Sequence, residues 1–183
     1  MNTRKIIFTY GLFFGGLSVG LSLVQFFGGF LYQNTIISRI IFGIIPIFLM
    51  LFCIGLGIYF AQRAFRKEKI TFSSHHHFRF SQILKIGIGI TLVGALLIAV
   101  YQVVLITYLD TQFLQKTMEL QLEQQQALYP EMTEKELLQV KQNMQKSSTP
   151  FMQFNLSLVS NLFFGFFISL GMSALMKLTQ KRF

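Results

Sequence analysis

Few side chains in this 183-residue sequence have a type and spacing that suits chemistry. His75, His76 and His77 are the densest set of metal-ligating groups. Metal sites on helices space His by three or four residues so that the rings converge. Three in succession diverge on a helix or a strand. Glu68 is the one acid in the surrounding segment, so a solvated or headgroup-facing loop is the expected role, with an adventitious metal site or a pH-responsive surface as the alternatives. Cys53 is the single cysteine; it can form no intrachain disulfide and reads as a small apolar filler. Asp110 and Glu119 have no His or Ser beside them to complete a nucleophile–base pair, and Asp110 reads as a capping or interface residue. There is no Walker loop, HExxH, GxSxG or dinucleotide fingerprint. The chain is therefore expected not to be an enzyme, with no catalytic, cofactor-binding or metal-ligating residues.

The elements that hold these residues explain the scarcity. The chain is 52% hydrophobic and only 13% charged, against about 25% charged in a typical soluble domain. Its 16 Lys and Arg and 7 Asp and Glu all fall outside four stretches, 6–31, 40–60, 86–108 and 153–176. Each is long enough for a helix to cross about 30 Å of hydrocarbon, which takes about 20 residues. Lipid offers no partner for a free backbone amide, so helices are the expected form. The fold class expected is all-α: a four-helix transmembrane bundle forming one membrane domain over 1–183.

Basic residues set the orientation. Arg4, Lys5, Arg63, Arg66, Lys67, Lys69, Arg79, Lys85, Lys177, Lys181 and Arg182 fall on one side, with Glu68 as the only acid. Arg39, Lys116, Lys135, Lys141 and Lys146 fall on the other, with the six remaining acids. Both termini and the basic loop 61–85 are thus expected in the cytoplasm. The net charge of +9 reflects topology rather than nucleic-acid binding. Arg63, Arg66, Lys67 and Lys69 are candidate lipid-headgroup contacts.

Segment 109–152 is too long for a structureless loop. Good helix formers run from Asp110 to Leu128, Pro130 interrupts, and Thr133 to Glu136 forms a capping box ahead of a second helix. An outer helical hairpin between the third and fourth spans is expected. Within the spans, Gln25, Gln102 and Asn161 each lie roughly 9–12 Å below the outer surface at 1.5 Å per residue. Such groups seek each other across helices, so a polar cluster joining spans one, three and four is expected. Gly11, Gly15, Gly16 and Gly20 are the candidate helix-packing glycines of span one, and Pro46 falls inside span two. No span contains a charged residue, which ion-coupled carriers usually need.

The order of features resembles a bacterial four-helix integral membrane protein family of unknown function (domain of unknown function 4199). The resemblance lies in Phe80 to Gly87 entering span three and Tyr108 to Phe113 leaving it. It continues through Met118-Glu119, Met132 to Leu137 and the last apolar span. It implies four helices in a bacterial inner membrane and supplies no activity or functional residues. The expected function is a structural, assembly or partner-binding subunit of that membrane; the alternative is a small-solute carrier or channel using the outer polar cluster. Expected partners are the lipid bilayer, a membrane or periplasmic protein, or a second copy of the chain.

Overall fold

The structure is a computed structural model that describes residues 3–30, 36–69, 80–131, 133–147 and 149–180, with side chains described except at 36–41, 66–69, 134, 146, 147 and 177–180. His75–His77 lie outside the described residues, and Arg66, Lys67 and Lys69 outside the described side chains. The fold is all-α. Its helices are α1 (Thr3–Phe27), α2 (Ile36–Lys69), α3 (Phe80–Val104), α4 (Phe113–Leu128), α5 (Glu134–Ser147) and α6 (Pro150–Gln180). A five-residue π-turn, Leu105–Leu109, prolongs α3.

Four segments are long and apolar enough to cross a membrane: Thr3–Phe27, Phe42–Phe65, Phe80–Leu109 and Pro150–Met176. They start and stop differently from the uncharged stretches. Arg4, Lys5, Arg63 and Lys85 lie inside the helices, because Lys and Arg favour helix and carry their charge outward on a flexible stem. Absence of charge marks the hydrocarbon-compatible part, not the whole helix. α1 ends four residues before Leu31. There Gly28 N–H reaches Val24 O at 2.9 Å and Gly29 takes the left-handed φ of +69° that closes a helix end. Pro150 opens α6, where a missing amide is harmless, and Thr149 Oγ1 accepts from Met152 N–H at 3.2 Å.

Side-chain pairs fix the topology. α1 and α2 are antiparallel: Phe30 meets Phe42 at one end, and Tyr10 stacks on Phe60 nearer the other, with centroids 5.9 Å apart. α1 and α3 are parallel, with Gly11 against Ile90 and Val93, and Gly15 against Gly94 and Leu97. α3 and α6 are antiparallel, with Gly87 against Ser169 and Thr91 against Gly165. The start of α1 and the end of α6 thus share one end, the terminal end, and α4 and α5 leave from the opposite one. α3 is central and packs on α1, α2 and α6.

The core gathers around Ile6, Phe14, Ile54, Ile58, Ile83, Ile86 and Ile90, with Cys53 buried among them. Cys53 thus packs as the small apolar filler its surroundings imply. The opposite helix faces carry large apolar groups, such as Phe48 at 66% exposure and Phe163 at 60%. A surface of this kind suits lipid, not water.

Candidate functional site

Lipid tails are as apolar as Leu, so burial alone does not hold these helices together; close packing and hydrogen bonds must. α3 obtains both from two separate seams. Toward α6, Thr91 fills the space above Gly165 and Ser169 fills the space above Gly87. The hydroxyls are satisfied within their own helices. Thr91 Oγ1 donates to Gly87 O at 3.0 Å, Ser169 Oγ to Gly165 O and Ser173 Oγ to Ser169 O, both at 2.6 Å. An unsatisfied buried hydroxyl would cost about 1–3 kcal/mol. These three groups avoid that cost and leave close backbone contact as their contribution.

The second seam joins α1 to α3. A Cβ on Gly11 would lie 2.6 Å from Val93 Cβ and 2.9 Å from the Ile90 carbonyl oxygen, and one on Gly15 would lie 3.0 Å from the Gly94 carbonyl oxygen. Phe14 occupies the space above Gly94. The other two candidate packing glycines behave differently: a Cβ on Gly16 or Gly20 would meet nothing within 4 Å. The reason is angular. Gly11 and Gly15 lie on the α3 face, while Gly16 and Gly20 fall near the opposite face at 100° per residue. Among the described residues neither faces a neighbouring helix closely enough to need a glycine.

Gln25, Gln102 and Asn161 are all half-buried, but the register separates them. Gln25 continues the α1 row of Gly11 and Gly15 toward α3. Gln102, eleven residues past Thr91, continues the α3 row that meets α6. The pairings Thr91–Gly165 and Gly87–Ser169 put Asn161 opposite Ala95 and Gln102 opposite Phe154. Asn161 is therefore about 10 Å from the level of Gln102. It donates to Ser157 O of its own helix at 2.8 Å. Among the described residues no hydrogen bond joins the three, because α1 and α6 occupy different faces of α3. The expected three-helix cluster is thus replaced by two seams.

Two residues that sequence reasoning passed over are more telling. Ser18 is 7% exposed, and its Oγ, like the buried hydroxyl of Tyr101, has no hydrogen-bond partner in the structure. The signal was present: Gly11, Gly15, Ser18, Ser22 and Gln25 recur at alternating spacings of four and three, the seam of one helix on another. It was hidden because Ser ranks as neutral in hydropathy.

Beyond the spans, Asp110 turns the chain. It accepts from Gln112 N–H at 3.1 Å and pairs with Lys116 at 3.8 Å, closing a turn ahead of α4, whose own N-cap is Gln112. α4 then packs on α5. At the start of α5, Glu136 accepts from Thr133 N–H at 2.9 Å and from Thr133 Oγ at 2.8 Å. The backbone bond, then the hydroxyl bond, hold the Glu136 carboxyl below the usual carboxylate range. α4 has no buried residue. A groove of about 430 Å³ runs along the pair, with Leu114, Met118 and Leu122 lining it beside Glu119 and Lys141. Arg63 is exposed on the terminal side. Among the described residues no group of His, Cys, Asp and Glu is gathered as a metal site.

No curated protein and no solved structure matches the chain. A family model does: the one described as protein of unknown function (DUF4199) matches residues 9–178, and the chain belongs to that family.

Proposed function

We propose that this protein is a non-enzymatic, multi-pass subunit of a bacterial cytoplasmic membrane, with both termini in the cytoplasm, and that it acts by binding or assembling a protein partner. The α4–α5 pair, as an outer hairpin, and the basic cytoplasmic loop are its contact surfaces. The observation that carries this reading is the state of the α4–α5 pair: α4 has no buried residue, and Leu128, Tyr129 and Leu138 stand 73%, 62% and 57% exposed. Apolar side chains held clear of both core and spans suit a protein contact.

A carrier fits less well. Below Ser18 the α1–α3 seam is closed by Phe14 on Gly94 and by Gly11 on Ile90, and the spans hold no Asp or Glu for coupling.

The test is photo-crosslinking in native membranes from position 138, followed by mass spectrometry. A discrete adduct with one other membrane or periplasmic protein, lost in Leu138→Glu, is expected. Adducts with the chain itself alone, or none, would overturn the reading.

A further inference from the structure

We propose that the outer groove between α1 and α3 at the terminal end binds an anionic phospholipid. Its phosphate sits between Arg4 of α1 and Lys85 of α3, and its chains lie along Phe8, Leu12, Leu92 and Leu96.

The packing rows of the two helices place the site. Ile7 fills the space above Gly89, Val93 lies against Gly11 and Leu97 against Gly15. Both helices thus advance by four residues per contact, side by side and parallel. One step further toward the terminal end sets Thr3 level with Lys85. Arg4 follows Thr3, within a rise of about 1.5 Å. Arg4 and Lys85 are both exposed. Two cations therefore flank the mouth of one seam. Neither seam helix contains Asp or Glu, nor does α6, and Glu68 is the only acid before Asp110. Like charges gathered in this way favour an anion shared between them.

The walls beyond the cations are apolar. On parallel helices, the residue after each packing position on one and the residue before it on the other border the same side of the seam. Each lies about 100° round its own axis. On α1 these are Arg4, Phe8 and Leu12, which follow positions 3, 7 and 11. On α3 they include Leu92 and Leu96, which precede positions 93 and 97. Phe8, Leu12, Leu92 and Leu96 are 60%, 52%, 43% and 44% exposed. The cations thus head one apolar groove, about 12–16 Å long at 1.5 Å per residue. One leaflet of a hydrocarbon core about 30 Å thick has that depth.

Charge selects the lipid class. A zwitterionic headgroup would bring its ammonium to two cations with no carboxylate on either helix, whereas an anionic headgroup brings only its phosphate. Arg offers phosphate oxygens a fork of donors, and Lys a point charge. A free phosphate would use the cations and leave the groove without a role.

Native mass spectrometry of the full chain in detergent micelles tests this, with dioleoyl phosphatidylglycerol and dioleoyl phosphatidylcholine as probes. Phosphatidylglycerol should bind more tightly. Arg4→Gln and Lys85→Gln should each weaken it about fivefold, the effect of one cation near an anionic lipid surface. Both should leave phosphatidylcholine binding unchanged, which also shows that the variants fold. Lys177→Gln, which removes the same charge from α6, should have no effect. Equal binding of the two lipids, a parallel loss of both in the variants, or an equal loss in Lys177→Gln would overturn the proposal. Glycerol 3-phosphate at the concentration of the lipid should not displace it. Displacement would show an anion site without a groove, and would overturn the proposal too.

Discussion

Ser169 occupies the space that a side chain on Gly87 would need, with its Cβ 2.7 Å from the position of that missing carbon. Four residues along α3 the exchange is reversed, and Thr91 covers Gly165. The two pairs lock α3 to α6 without using any hydrogen bond between the helices.

Enlarging either glycine should therefore be costly. Gly87→Val and Gly165→Val should each lower stability by about 1–3 kcal/mol, the usual range for overpacking. A Cβ on Gly171 meets nothing within 4 Å, so Gly171→Val should be nearly neutral. Thermal unfolding in detergent checks the contrast, and equal losses at all three positions would contradict the packing described.

The separation of Gln25 from Asn161 has a thermodynamic signature. The two sit on helices that pack against different faces of α3, so Gln25→Leu and Asn161→Leu should be additive within about 0.5 kcal/mol. A double-mutant cycle measures this. A coupling above about 1 kcal/mol would restore the three-helix polar cluster.

Acid should loosen the start of α5. Glu136 accepts two hydrogen bonds from Thr133 that hold its pKa below the unfolded value. Its contribution is therefore complete above the unfolded carboxylate pKa of about 4.3 and is lost as pH falls through the lower folded value. Carboxyl NMR of Glu136 should show the depressed midpoint. Amide exchange near Thr133 should rise over the same interval, and Glu136→Gln should show the faster exchange at neutral pH.

Much of this was legible in the residues. Runs free of charge located the four long helices, since no side chain with a full charge tolerates the hydrocarbon. Thr133, Glu136 and Pro130 located α5 and the break before it, because capping and proline chemistry are local. Partner choice between helices was not local. Gln25, Gln102 and Asn161 matched in depth when counted from assumed span ends. Yet α6 begins at Pro150, and α1 and α6 meet different faces of α3. Gly16 and Gly20 fit the same small-residue pattern as Gly11 and Gly15, and only the position of α3 tells the pairs apart. Ser18 and Tyr101 went unnoticed because hydropathy says nothing of whether a hydroxyl has a partner.

The proposed topology places the α4–α5 pair outside the cytoplasmic membrane and the end of α2 inside it. Cysteine labelling in a Cys53→Ser background tests it most directly. A membrane-impermeant thiol reagent should label Gln139→Cys, on exposed α5, when the outer face of the cytoplasmic membrane is accessible in otherwise sealed cells. It should label Arg63→Cys only after the membrane is opened. Labelling of position 63 in sealed cells, with position 139 protected, would contradict the account.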